Sequence, residues 1–504
     1  MKKYIVVLPF IFIISVFIFL GLYIETNMNE FYKNKKKGKT MLRKFPYPYR
    51  AALSISNDAD QTDSIEEFLI IQEYLNTNNI TPLGKGLNLE IGCSFFGKGI
   101  LGLLSNDDRE KNFIIDLIKL GYIDFIHSFN LSKNRDEHIE IIDILKANDC
   151  KIDVWVNHAS SKNNLGYPLG FNGDNVGSLD YHTDLSINKL GYQFFWQNAV
   201  SGIIGQGRPI SIFSFFDGFN SQYPFSSFVN NNLFELAKYL LSIFGAERYR
   251  MRQSNELVVP TVLDDGQPLF EFMRSNASKD GNWANADSDG LSELINTEFF
   301  KKLIEVKGFS IIYTHLGKNN GFPYLGESAQ NCLKELKYYN DNGNIYVTTT
   351  NKLLEYYVNT KYLNWSEEFH DDSLRIYIDN ITDPVRGSFV PSLDDLSGVT
   401  FYSENPHKTK VFVGGTEVSD LQLNGKDENS YYSVSIKINK LPNIDHKITK
   451  YKNTFIKKIE SIDSESNLKE DIGLDSFDLA KMTVLICRYI ESKFLAYSFC
   501  CFFT

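Results

Sequence analysis

Apolar and polar residues follow two periodicities between residues 50 and 363. Apolar runs of strand length occur at 51–56, 86–92, 122–128, 151–158, 192–196, 308–315 and 344–349. Segments with helical spacing fall between several of these runs, at 64–75, 110–120, 137–147, 291–306 and 328–339. Repeated strand and helix units predict an α/β fold with a parallel sheet, of the (β/α) barrel kind. The stretch from 197 to 285 is less regular, and we expect long loops there.

The pattern changes after residue 365. Short β-like runs punctuated by Asp, Asn, Gly and Pro predict a small antiparallel β domain over 366–440. Helical spacing then resumes from Ile448, and a second helix is predicted from Ser476 to Phe494. These features define a short helical segment over 446–504.

The N-terminus carries a long apolar run. Residues 5–24 hold no charge and follow Lys2 and Lys3, and their length suits a helix that crosses the hydrocarbon layer. The sequence therefore predicts a single-pass membrane anchor, followed by a basic linker over 25–49. Lysines flank the run on both sides, which leaves the side of the membrane occupied by the body undetermined.

Composition narrows the choice of partner. The net charge of −10 is spread over the chain and the basic residues cluster only near the N-terminus, so no nucleic-acid groove is predicted. The six cysteines have no paired spacing that indicates a disulfide framework or a zinc knuckle.

Histidines and carboxylates mark the ends of the predicted strands. His127, His158 and His315 each end a strand, His182 follows a turn-like stretch, and the motif SISNDADQTD supplies Asp58 and Asp60 after the first strand. Strand ends of a (β/α) barrel open onto one face, where imidazoles and a carboxylate could hold a divalent metal, Zn²⁺ above all. A metal-bound water, a carboxylate base and a histidine acid together suit amide or ester hydrolysis.

Each of these residues also has a structural interpretation. Asp60 or Thr62 could cap the helix that starts near Ser64, and a single strand-end histidine is commonly a hydrogen-bonded structural residue. The prediction of a site therefore depends on several of them converging.

Four segments together resemble the polysaccharide deacetylase family, the NodB-like carbohydrate esterases: AALSISNDAD, IDFIHSFN, KIDVWVNH and SIIYTHLG, in that order over residues 50–360. The resemblance implies a distorted (β/α)₇ barrel and metal-dependent removal of acetyl groups from a glycan. By position it implies that Asp58 is the catalytic base, that Asp60 and His127 bind the metal, and that His315 assists the leaving group.

The chain departs from the family pattern at two places. The family has two adjacent Asp followed by Gly where this chain has Asn57-Asp58-Ala59-Asp60, so an alignment that places Asn57 at the base position is also open. Leu131 stands where a second histidine is expected, which leaves His158 or His182 to complete the metal site. The alternatives are a catalytically inactive barrel that binds glycan or acts as a scaffold, and a metal-independent glycosidase that uses Asp58 and Asp60.

Several side chains near the predicted rim suit a sugar substrate. The candidates for stacking on sugar rings are Trp155, Tyr181 and Trp196, although buried packing is the commoner role of aromatic residues. Arg274 could bind an anionic group of the substrate.

Near the C-terminus, Asp475-Ser476-Phe477-Asp478-Leu479 resembles the motif of acyl carrier proteins. The resemblance implies a 4′-phosphopantetheine arm on Ser476, attached by a phosphopantetheinyl transferase. The other interpretation of Ser476 is a simple helix N-cap.

Overall fold

A curled, mostly parallel sheet organises residues 51–347. The computed structural model describes residues 40–460 except 60–61, 99–101, 106, 130–134, 160, 167–170, 211–213, 215–224, 276–286, 319–321 and 371. The strands in this part are β1 (Ala51–Asn57), β2 (Ile80–Thr81), β3 (Gly84–Lys85), β4 (Cys93–Phe95), β5 (Ile123–Ile126), β6 (Val154–Val156), β7 (Phe194–Trp196), β8 (Val200–Ser201), β9 (Val258–Val262), β10 (Pro268–Phe272), β11 (Arg274–Ser275), β12 (Phe309–Thr314) and β13 (Ile345–Val347).

Helices connect and cover these strands. They are α1 (Ile65–Asn76), α2 (Asp108–Lys119), α3 (Arg135–Ala147), the short α4 (Thr183–Leu185) with a π-helical turn at Ser186–Leu190, α5 (Phe225–Ile243) with a 3₁₀ turn at Glu247–Arg252, α6 (Ser288–Leu294), α7 (Thr297–Glu305), α8 (Glu327–Asp341) and α9 (Thr350–Lys361). The predicted α/β class is confirmed.

The sheet has the order β8-β11-β12-β1-β4-β5-β6-β7-β10-β9, and the pairs inside it are parallel except β9 with β10. Its centre is β1, which pairs with β12 along one edge and with β13 and β4 along the other. The result is a half-barrel in which the carboxyl ends of β12, β1, β5 and β6 lie at the same edge.

Two predicted elements are wrong. Residues 86–92 form no strand, because the amides of Leu87 and Leu89 donate to the carbonyls of Tyr74 and Leu75 at the end of α1 and not to a neighbouring strand. The predicted helix 291–306 is two helices, because Asn296 accepts hydrogen bonds from the amides of Glu298 and Phe299 and starts α7 anew.

The stretch from 197 to 285, predicted to be loops, holds regular structure. It contains β8, α5, β9, β10 and β11, and it contributes Arg274 on β11, the second strand from one edge of the sheet. Short strands and a helix of mixed polarity give only a weak periodic signal, which explains the wrong prediction.

The segment after residue 362 forms two further sheets. Its strands are β14 (Leu363–His370), β15 (Ser373–Asp383), β16 (Gly387–Phe389), β17 (Thr400–Tyr402), β18 (Thr409–Val413), β19 (Thr416–Glu417), β20 (Leu421–Asn424) and β21 (Ser433–Ile436), with a 3₁₀ turn at Pro406–Lys408. β15 and β18 run parallel, so the segment is mixed and not purely antiparallel as predicted. Leu374 and Ile376 share one hydrophobic core with Phe125 and Val154 of the half-barrel.

Helix α10 (Asp445–Glu460) follows and lies against α1 and α2. Ile444 and Ile448 are fully buried in the core on that side, and the rings of Tyr451 and Phe113 have centroids 4.5 Å apart. The carrier-like motif around Ser476 lies outside the described residues. No helix within the described residues is long and apolar enough to cross a membrane, and the apolar run 5–24 is not among them.

A buried carboxylate links the sheet to α9. Asp124 of β5 accepts a hydrogen bond of 2.8 Å from the amide of Asn351 in the first turn of α9, so it caps that helix from across the core. Burial raises the pKa of Asp124 to about 7, against the hydrogen bonds from the helix, which lower it. In the folded protein this carboxyl therefore keeps its proton at a pH where it is ionised in the unfolded chain.

We expect Asp124→Asn to remove a pH-dependent part of the stability. A carboxyl group whose pKa is higher in the folded than in the unfolded protein stabilises the folded state at low pH. This contribution is lost as pH rises from about 4 to about 7. The unfolding free energy of the variant relative to wild type should therefore increase across this window, by at most about 4 kcal/mol, and be constant above it. Urea unfolding at several pH values measures this difference.

Asp372→Asn is the matched control, because the side chain of Asp372 is 92% exposed. Its stability relative to wild type should change little with pH. If the stability of Asp124→Asn relative to wild type were also independent of pH, Asp124 would be ionised in the folded protein as it is in the unfolded chain.

Candidate functional site

The candidate site lies where the parallel strands end. Asp58 follows β1, His127 follows β5, His158 comes two residues after β6, and His315 follows β12. β12 and β1 pair in register from Ala52 with Phe309 to Asn57 with Thr314, which aligns the ends of these two strands. The sheet therefore brings together side chains that are far apart in sequence.

Asp58 is held by a buried arginine. Nη1 of Arg274 donates to Oδ1 and Oδ2 of Asp58 at 3.0 and 3.1 Å, and to Oγ of Ser56 at 3.0 Å. Both side chains of the ion pair are 0% exposed. Such a pair compensates two charges that would be very costly to bury separately.

Two aromatic rings surround the guanidinium group. The Cζ atom of Arg274 lies 3.7 Å from the ring centroid of Trp196 and 4.3 Å from that of Tyr313, which gives two cation–π contacts. Among the described residues, Nε and Nη2 of Arg274 have no hydrogen-bond partner. The rings fix the guanidinium plane, so that Nη1 alone makes the polar contacts.

Two histidines lie beside this pair. Nε2 of His127 is 3.6 Å from Oδ2 of Asp58, and the rings of His127 and His158 have centroids 4.7 Å apart, nearly at right angles. Phe96 packs against both rings. His127 is buried whereas His158 is partly exposed, so His158 lies nearer the solvent.

His315 approaches the cluster through Tyr313. Its Nε2 is 3.2 Å from the hydroxyl of Tyr313, whose ring in turn contacts Arg274. His315 is 6% exposed. The strand alternation of β12 places Tyr313 and His315 on one face, which explains their contact.

Asn57 has a separate role in the structure. Its Oδ1 accepts a hydrogen bond of 2.9 Å from the amide of Leu316 and so ties the end of β1 to the chain that leaves β12. Asp58, and not Asn57, contacts Arg274 and His127. The helix that follows is capped by Ser64, whose hydroxyl accepts from the amide of Glu67, and not by Thr62; Asp60 lies outside the described residues.

His182 does not present a free ring nitrogen to a metal. Nδ1 is 3.0 Å from Oγ of Ser186, Nε2 is 2.8 Å from the carbonyl of Asn163, and the side chain is fully buried. Burial lowers the pKa of His182 to about 4, so the ring is neutral and structural. His182 is therefore not the replacement ligand, and His158 is the remaining candidate.

The residues proposed for sugar stacking lie mostly inside the protein. Trp155 is 0% exposed and its Nε1 donates to Asn157, while Trp196 is 6% exposed and covers Arg274. The burial of both rings favours the packing role, and their stacking on a sugar stays an untested prediction. Tyr181 is partly exposed, with its hydroxyl 3.3 Å from Asp265. Arg274 binds Asp58 and not an exposed anion.

The described residues supply part of a metal site. No group of three or more His, Cys, Asp or Glu side chains among them is arranged to hold a metal ion. His127 and His158 are adjacent imidazoles of the kind that bind zinc, but Asp58 already pairs with Arg274. Asp60, the predicted carboxylate ligand, and Leu131 lie outside the described residues.

Ser56 and Tyr313 also belong to the site, although neither is among the residues predicted from the sequence. Alternation could have found Ser56, because residues 54, 56 and 58 lie on one face of β1. The contact of Arg274 with Asp58 carries no local signal, since 216 positions separate them.

No family model, curated protein or solved structure matches this chain.

Proposed function

We propose that the chain is a hydrolase of the polysaccharide deacetylase type, which removes an acyl group from an amide or ester of a glycan. The observation that carries the proposal is the buried carboxylate of Asp58, fixed by Arg274 beside His127 at the edge where the parallel strands end. Strand ends of this kind are the usual place for catalytic groups in parallel α/β proteins.

Each residue has a distinct role in this proposal. Asp58 accepts the proton of the attacking water, and Arg274 is a positioning residue that holds the carboxylate in one orientation. His315 donates a proton to the leaving oxygen or nitrogen, and the hydroxyl of Tyr313 orients its ring. His127 and His158, with Asp60, would bind a divalent metal, which when bound supplies an acidified water and a polarised carbonyl.

The fold supports the same family. The curled sheet, its mainly parallel strands and its helical connections are those expected of a distorted (β/α)₇ barrel. We further propose that the N-terminal run is a single-pass membrane anchor and that Ser476 carries 4′-phosphopantetheine. Intact-mass measurement after incubation with a phosphopantetheinyl transferase tests the modification of Ser476.

A second candidate is an inactive barrel that binds glycan or acts as a scaffold. The burial of Asp58, 1% exposed, and of its partner Arg274 favours this candidate, because a catalytic base must meet water and substrate. The glycosidase candidate is weaker, because two carboxylates two residues apart at one strand end tend to point the same way and would not face each other across a sugar.

Metal analysis and activity assays on the same samples distinguish these candidates. We expect the purified full chain to contain zinc and to release acetate from acetylated oligosaccharides, and His127→Ala and His158→Ala to lose both metal and activity. His446→Ala is the control, because His446 is exposed on α10. A folded wild-type protein without metal or activity that still binds the oligosaccharide would establish the second candidate.

A further inference from the structure

Helix α5 has its apolar face on the outside. From residue 233 onward, the exposed side chains Leu233, Ala237, Leu241 and Phe244 recur at intervals of three and four and form one stripe, with Phe244 just beyond the helix. Leu233 is 54% exposed, Leu241 46% and Phe244 84%. Ile243 is also exposed and lies along one side of this row of residues. We call these five residues the α5 stripe.

Within the part of α5 whose side chains the structure describes, the opposite face is polar and points into the protein. Glu235, Tyr239 and Ser242 lie roughly 180° round the helix from the stripe. Oε2 of Glu235 is 3.6 Å from Nε of Arg252, and with Tyr239 it lies around a narrow cleft lined also by Met273 and Asn255. Ser242 is buried.

This arrangement is the reverse of an ordinary surface helix. A helix of a water-soluble protein buries its apolar stripe and exposes its polar face, because burial of apolar area is the main driving force of folding. An exposed row of Leu, Ile and Phe is destabilising in water and marks contact with an apolar partner.

We propose that the α5 stripe lies in the interfacial layer of a lipid bilayer, as an in-plane contact separate from the N-terminal run. The sequence favours lipid as the occupant over a second protein. Residues 25–39 separate the apolar run 5–24 from the first described residue and span at most ~50 Å when extended, so the body stays close to any bilayer that the run enters. The same linker contains five lysines, which attract anionic lipids.

The described chain begins at Thr40, whose amide donates to Oε2 of Glu367 on β14, and it reaches the segment beneath α5 through Lys44. Nζ of Lys44, four residues after the first described residue, donates to the carbonyls of Gly207 and Lys307 at 2.7 Å. The amide of Gly207 donates to the carbonyl of Asn255, and Asn255 lines the narrow cleft beneath α5. Lys44, Gly207 and Asn255 therefore connect the start of the described chain to the segment beneath α5, and one bilayer could contact both the linker and the α5 stripe.

Tryptophan fluorescence in vesicles tests the proposal. The full chain with Phe244→Trp is added to vesicles of phosphatidylcholine and phosphatidylglycerol, with and without brominated phosphatidylcholine, and its emission is compared with that of wild type, which has four tryptophans. We expect a blue shift and a loss of the added emission with brominated lipid. Adding Leu241→Asp to this variant should reverse both.

Leu179→Trp is the matched control. Leu179 is 80% exposed, close to the 84% of Phe244, but it lies on the loop that carries His182 and not on α5. It should show neither change. Equal quenching at both positions would overturn the proposal, since it would place no special contact at α5. A blue shift of Phe244→Trp that grows with protein concentration and is insensitive to brominated lipid would also overturn it, in favour of a contact between two copies.

A second measurement needs no substitution. Amide hydrogen exchange of residues 233–244 in the wild-type chain should be slower with vesicles than without them, because lipid excludes water from the exposed face. Unchanged exchange there, together with unquenched emission, would overturn the proposal independently of any effect of the substitutions on folding.

Discussion

Arg274→Met is expected to lower the free energy of unfolding by about 3–5 kcal/mol. The substitution leaves the carboxylate of Asp58 in the interior without its charge partner, since Nη1 of Arg274 contacts both of its oxygens and both side chains are 0% exposed. It also removes two cation–π contacts with Trp196 and Tyr313. Equilibrium unfolding in denaturant measures the change.

A double-mutant cycle separates the ion pair from simple loss of packing. Asp58→Asn leaves the guanidinium unpaired and should also be destabilising, but the double variant should lose less than the sum of the two single losses, by about 0.5–3 kcal/mol. Arg109→Met is the control, because Arg109 pairs with Asp107 at the surface, where such pairs contribute about 0–1 kcal/mol. A loss for Arg274→Met no larger than that of the control would contradict a tightly coupled pair.

His315→Ala is expected to lower kcat for release of a sugar-linked acetyl group by about 10²–10⁴-fold, with KM little changed. The physical reason is that His315 is proposed to protonate the leaving group, a step that matters in the transition state and not in binding. The measurement is a kinetic comparison on acetylated oligosaccharides and on an aryl acetate. An aryl oxide leaves without protonation, so the variant should lose far less activity on the aryl acetate.

Two variants complete this experiment. His407→Ala, at an exposed histidine in the 3₁₀ turn of the β segment, should leave both activities unchanged. Tyr313→Phe should lower kcat on the sugar substrate less than His315→Ala does, because it removes only the group that orients the ring. Equal losses of His315→Ala on both substrates would argue for a structural role of His315.

The periodicity of the chain predicted most of the half-barrel. Six of the seven predicted strands recur, because buried parallel strands such as β1 and β12 are continuous apolar runs bounded by polar residues. The failure at 86–92 has a local cause, since an apolar run also suits a segment that packs against the end of a helix. In the segment after residue 362 the pairing direction was beyond the sequence, as the parallel pair β15 and β18 illustrates.

The sequence by itself determined the α/β class and the position of Asp58, His127, His158 and His315 at strand ends, because strand alternation and strand termini are local properties of the chain. Only the tertiary structure decided which of these groups meet. The sheet order inserts β11 beside β12 and so delivers Arg274 to Asp58, a loop folds both ring nitrogens of His182 inward, and α5 turns its apolar stripe outward. Each of these outcomes depends on contacts between segments far apart in sequence, and no local pattern encodes them.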